Sequence, residues 1–261
     1  MNPRIERWCI WSGAPMYVLF AVGFIAFAKF MPPPSPEASA EQIAELYGSR
    51  VNGIRIGAIL VCLGAALLAP YYGALCVQMK RIEGRQSPLT YAQLMLAACF
   101  ILEFIFPMFI MQGIVYRPGR PADIVQAMSD TTWLLFVGVV STGALQFVVI
   151  AVAIFADKSE HPVFPRWVGY FNCWVTLSFL AGNAIFFVKS GPLAWNGLLS
   201  WWITIVAYGI WLVVMLVMML KSVTNQQTAA PRGEEGPSIE HRVALLETEL
   251  KSFRAAAAKA R

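Results

Sequence analysis

One acidic residue sits in the middle of a long apolar run. It is Glu103, in Phe100-Ile101-Leu102-Glu103-Phe104-Ile105-Phe106-Pro107. A carboxylate in hydrocarbon costs several kcal/mol unless it is protonated, paired or hydrated, so such a residue is a functional candidate by default. No Lys or Arg lies at its depth, which points to a hydrogen-bonded carboxyl and away from an intramembrane salt bridge. Pro107, four residues on, removes the amide that would bond to the Glu103 carbonyl and is expected to kink the helix. Gln146, Thr176 and Tyr208 fall within about a turn of the same depth. Asn172 and Asn183 lie displaced toward the two faces. Asn172, Thr176, Phe179 and Asn183 follow 4, 3, 4 spacing and share one helix side. The chemistry open to this set is binding: a small, largely apolar molecule oriented by a few polar groups. The same residues serve equally as hydrogen-bonded glue between helices.

Other chemistry finds little support. There are two histidines, His161 and His241, both in polar stretches, so the spans hold no histidine set for haem, di-iron or zinc. Cys9, Cys62, Cys76, Cys99 and Cys173 lie in or beside apolar segments with no ligand spacing, and read as small buried hydrophobes. Gly-x-Ser-x-Gly, Walker, dinucleotide and His-Glu-x-x-His patterns are absent. No cofactor is expected, and the leaning is against an enzyme.

These residues need a scaffold, and the composition says which kind. The chain has 261 residues, 58% of them hydrophobic and 13% charged, with a mean hydropathy of +0.60. An ordinary soluble domain carries about twice that charge. The expected fold is all-α: a polytopic membrane bundle with the lipid bilayer as its main partner. Six segments reach the length of about 20 residues that a bilayer requires. They are Trp8–Ala28, Ile54–Met79, Tyr91–Val115, Trp133–Ala156, Trp167–Val188 and Leu198–Leu220. The third, fourth and fifth are expected to enclose the polar-lined pocket. Gly57, Gly64, Ala65 and Gly73 in the second indicate close helix packing. Trp8, Trp11, Trp133, Trp167, Trp195, Trp201 and Trp202 fall near span ends and read as interfacial anchors.

Charge sets the orientation. With the N-terminus inside, the inner segments before the distal tail carry eight Lys and Arg and the outer loops six. The dense Lys80-Arg81-Ile82-Glu83-Gly84-Arg85 loop adds to this bias, so both termini are expected in the cytoplasm. The net charge of +5 is thus read as topology and anionic-lipid contact, and no nucleic-acid partner is expected.

The longest outer loop should carry a short amphipathic helix over about residues 37–47, with Ser35 as N-cap and Pro36 at the first helical position. It reads as a cover on the outer surface. The transmembrane bundle is expected over 1–221, a flexible linker over 222–237 and a cytoplasmic helix over 238–261. In that last segment Ile239, Val243, Leu246, Leu250 and Phe253 recur at heptad spacing. Arg242 and Glu247 complete an Arg-hydrophobic-x-x-hydrophobic-Glu pattern that resembles short trimeric coiled coils. A homo-oligomer follows as an expectation, with a trimer favoured.

The start of the fifth span, Pro165-Arg166-Trp167-Val168-Gly169, resembles a Pro-Arg-Trp-aliphatic-Gly pattern of uncharacterised six-helix bacterial membrane proteins. The hydropathy pattern is similar along most of Met1 to Leu220. The resemblance implies a bacterial inner-membrane protein and implies no activity. Two functions remain: a module that binds or moves a small apolar molecule near Glu103, or an accessory subunit that assembles through its C-terminal helix.

Overall fold

Helix α1 (Pro3–Trp11) starts where the Asn2 side chain accepts the Arg4 N–H at 3.0 Å. Ser12 joins it to α2 (Gly13–Ala21), and Val22–Phe27 then winds as a π-helix. The Ser12 hydroxyl meets the Leu67 carbonyl oxygen at 2.8 Å and so pins this first span to the second. The structure, a computed structural model, describes residues 2–229. Among them, every regular element is helical.

Helix α3 (Ala40–Ser49) lies between the first two spans in sequence. Its N-cap is Ser39, in a capping box with Gln42, and not Ser35. A Ser–Gln pair three residues apart satisfies two orphan amides, whereas the Ser35 hydroxyl holds only the Glu37 N–H. Tyr47 fixes α3 to the bundle. Its ring packs on Phe30 at 5.5 Å and its hydroxyl lies 3.3 Å from that of Ser129. Burial pushes the Tyr47 phenol up to about 12.

Helix α4 (Val51–Glu83) ends at Gly84, whose φ of 77° suits only glycine comfortably. Glu83 then caps α5 (Pro88–Tyr116), accepting the Leu89 and Thr90 N–H groups at 2.8 and 2.7 Å. Helix α6 (Ala122–Gly138) and α7 (Ser141–Ala156) form one apolar stretch broken at Val139–Val140. Helix α8 (Arg166–Leu180) passes into a 3-10 segment, Ala181–Phe186. A second π-helix, Leu198–Ile203, opens α9 (Thr204–Ala229).

Among the described residues, five helical stretches are long and apolar enough to cross a membrane: Pro3–Phe27, Val51–Glu83, Pro88–Tyr116, Ala122–Ala156 and Leu198–Thr228. The expected span Trp167–Val188 is α-helical only to Leu180. Gly182 draws the following 3-10 turn against the broken fourth span, where a Cβ would lie 2.6 Å from the Val137 carbonyl oxygen. Large apolar side chains face outward along the spans, such as Met95 at 72% and Phe109 at 65% exposure, which suits a lipid surround. Cys99 and Cys173 are exposed too, and Cys9 and Cys62 are half-buried, so of the five cysteines only Cys76 is buried.

The tryptophans divide. Trp8, Trp11, Trp167 and Trp202 are exposed, as anchors require, but Trp133, Trp195 and Trp201 are buried. These three fill the end of the bundle beneath α3, where Trp195 Nε1 donates to the Pro34 carbonyl at 2.8 Å. Gly73 also departs from expectation, because nothing lies within 4 Å of a Cβ built there.

The first compact unit is Met1–Val223 and the second Thr224–Arg261. Helix runs through Ala229, so the stretch expected as linker begins as helix. The rest of that linker and the whole heptad segment, Ile239 to Phe253, lie outside the described residues.

Candidate functional site

Two helix irregularities meet at one place. The fourth span breaks at Val139, with φ −81° and ψ 69°, and the Val140 N–H turns back to the Gly138 carbonyl at 2.9 Å. The last span starts with the π-helical Ser200 and Trp201. The third span, by contrast, stays one α-helix through Pro107. Irregular backbone at membrane depth is tolerated where it is buried in protein or lines a cavity. π-Helical turns also collect at functional sites.

Here they border a cleft lined from the first, third, fourth and last spans together with Phe179. Its walls are aromatic. Phe104 packs edge-on to Phe100 at 5.3 Å and to Phe20 at 5.8 Å. Phe136 bridges Phe104 at 5.9 Å to Trp201 at 5.8 Å. Tyr208 closes the set against Phe100 at 5.4 Å. Its hydroxyl lies 3.3 Å from that of Tyr72, deeper in the bundle. Tyr17, half exposed, stands at the rim against Gly209.

Glu103 lines this cleft, and its Oε1 is buried with no hydrogen-bond partner among the described residues. It is the only carboxylate on the lining, which holds no Lys or Arg. A buried acceptor in this state is costly and calls for an explanation.

The other expected site residues divide. Tyr208 lines the cleft with Glu103. Gln146 and Asn172 do not: both are fully buried and turned to partners inside the bundle. Gln146 Oε1 accepts from Gln93 Nε2 at 2.5 Å. Asn172 Oδ1 accepts from Trp211 Nε1 at 2.9 Å, and its amide donates to the Val168 carbonyl. The Thr176 hydroxyl returns to the Asn172 carbonyl at 3.0 Å, one turn back. Asn183 is exposed on the 3-10 segment. The pocket is therefore mainly apolar and is not the polar enclosure of the third, fourth and fifth spans that residue spacing suggests. Helix–helix glue is what Gln146, Asn172 and Thr176 supply.

Sequence spacing missed Phe20 and Phe136, whose aromatic character looks like ordinary core in an apolar run, and Trp201, which reads as an interfacial anchor. Among the described residues, no three His, Cys, Asp or Glu side chains gather as a metal ion would need. No family model, no curated protein and no solved structure matches this chain.

Proposed function

We propose that this chain is a six-span module of a bacterial inner membrane that binds or moves a small, largely apolar molecule in the cleft around Glu103. The observation that carries this reading is Glu103, whose carboxyl lines an aromatic cleft and whose Oε1 is buried without a partner among the described residues. One polar group in an apolar wall is how small-molecule sites orient a ligand.

Six spans with both termini cytoplasmic fit the geometry of the fifth segment. Fifteen α-helical residues and six 3-10 residues together rise about 34 Å, enough for a hydrocarbon core of about 30 Å. The 3-10 segment packs against α6 and against the π-helix that opens the last span, which supports a further crossing. The Lys80-Arg81 loop then stands on the inner side with the N-terminus.

The test is a filled cleft. Ile205 lines it and is half-buried. The purified full chain is titrated with N-phenyl-1-naphthylamine, a neutral apolar fluorophore, in zwitterionic nanodiscs. Saturable binding that Ile205→Trp weakens by about tenfold or more supports the site. Binding that never saturates above lipid partitioning, or that Ile205→Trp leaves unchanged, overturns it.

A further inference from the structure

We infer that the ligand of this cleft is a lipophilic amine in its protonated form, with a bulky apolar body and one charged nitrogen. This rests on the reading of the cleft as a ligand site, and adds the charge of what it takes.

The lining supplies one ionisable acid, which becomes a charge partner only when a cation sits against it. Glu103 is the only carboxylate there, and no Lys or Arg accompanies it. An anionic ligand would meet no countercharge in an apolar wall and would lie against a carboxylate, which is the costly arrangement. A neutral hydrocarbon would leave Glu103 Oε1 as unpartnered as it stands now. An ammonium N–H donates to that oxygen and neutralises the carboxylate in the same contact.

The rings point the same way. Phe100, Phe104, Phe20 and Phe136 form a chain of contacts with centroids 5.3 to 6.4 Å apart. Trp201 and Tyr208 extend the wall at each end. Such ring faces attract a cation within about 6 Å of their centroids, more strongly once water is excluded. A wall of Leu and Ile would bind an apolar body equally well and would offer the cation nothing. Here the rings and the carboxylate share one lining, so the apolar body and the charged nitrogen of a single molecule are both accommodated.

Access is consistent with an amphiphile. Tyr17, half exposed, forms the rim, and its hydroxyl lies 3.2 Å from where a Cβ on Gly209 would stand. The rim is thus between the first and last spans, at the lipid-facing surface, where amphiphilic amines partition.

A matched pair of probes tests the charge. Scintillation proximity on the full chain in zwitterionic nanodiscs measures tritiated 1-naphthylmethylamine, with 1-naphthalenemethanol as the neutral competitor of the same shape. The native chain should prefer the amine by about tenfold or more. Glu103→Gln should remove that preference and hold the alcohol within about twofold of its native affinity. Phe136→Leu, which keeps the carboxylate, should weaken the amine about threefold and spare the alcohol; it decides the matter if Glu103→Gln does not fold. Equal affinity for amine and alcohol in the native chain, or a preference that survives in Glu103→Gln, overturns the amine inference. Saturable alcohol binding that Ile205→Trp abolishes would then leave the cleft standing as a site for neutral molecules. No saturable binding of either probe sinks both readings.

Discussion

Trp211 Nε1 donates to Asn172 Oδ1 across 2.9 Å, and both residues are fully buried. The bond ties α8 to α9 and takes Asn172 out of the cleft. An Asn172→Leu variant leaves the indole N–H without its acceptor in an apolar interior. The cost should be about 1–2 kcal/mol, since hydrogen bonds between membrane helices are worth less than their burial suggests. Thermal unfolding in detergent should show a lower midpoint, while binding of N-phenyl-1-naphthylamine stays within twofold. A large loss of binding with unchanged stability would place Asn172 back in the site.

The first and second spans touch through glycine. A Cβ on Gly57 would stand 2.4 Å from the Gly23 carbonyl oxygen, and one on Gly53 2.3 Å from that of Phe27. Backbone contact of this kind admits no side chain without moving a helix. Gly57→Ala should therefore destabilise by about 1–3 kcal/mol despite alanine's better helix propensity. Gly73→Ala, in the same helix but with open space around it, should be neutral or slightly stabilising. Parallel melts of the two variants check the contrast, and equal midpoints would contradict it.

Two of the expected site residues and several of the spans were legible for one physical reason: an apolar run makes any interruption visible. Glu103 stands out in Phe100–Pro107 because charge is expensive there, and Tyr208 follows from depth. Depth does not say which way a side chain turns. Gln146 and Asn172 have the right depth and are consumed by Gln93 and Trp211, partners 53 and 39 residues away. The break at Val139 carries no proline, only Gly138 before it, and the 3-10 turn after Leu180 carries none either, only Gly182 and Asn183. Their causes are tertiary, in the packing of Gly182 against Val137. The Gly53-x-x-x-Gly57 spacing was a readable sign of close packing. The aromatic cleft wall was not, because Phe20 and Phe136 look the same in sequence whether they fill a core or line a cavity.

The loop after α7 carries a pH dependence. Asp157 Oδ1 accepts the Ser159 N–H at 3.0 Å and its hydroxyl at 2.6 Å, and Oδ2 accepts the Val163 N–H at 2.9 Å. Partial burial raises the carboxyl, but these hydrogen bonds outweigh it and hold it below the usual aspartate range. A group depressed in the folded state contributes stability above its unfolded pKa of about 3.9. That contribution is lost as pH falls through the lower folded value. Amide exchange over residues 158–163, corrected for intrinsic rates, should thus accelerate as pH falls below about 4. Asp157→Asn should remove the step, and a step that persists in it would assign the effect elsewhere.

The N-terminal helix is held by a buried acid. Glu6, 5% exposed, accepts a hydrogen bond from Gln78 Nε2 and pairs with Arg81 Nη2 at 3.2 Å. Gln78 Oε1 in turn accepts from Arg81 Nη1 at 3.0 Å and from the Ser222 hydroxyl at 2.8 Å. One carboxylate therefore organises contacts among the first, second and last spans. Its two partners differ in exposure, and that decides the ranking of variants. Arg81 keeps 29% of its side chain in contact with solvent, so Arg81→Ala should cost only about 1 kcal/mol. Glu6→Ala leaves Gln78 Nε2 without this acceptor and the guanidinium without its counter-ion, and should cost about 2–3 kcal/mol. Glu6→Gln keeps an acceptor for Gln78 and should fall between the two. Unfolding of the three variants in one detergent checks the order. Equal losses for Glu6→Ala and Arg81→Ala would mean that the ion pair, and not the buried amide link, holds the helix.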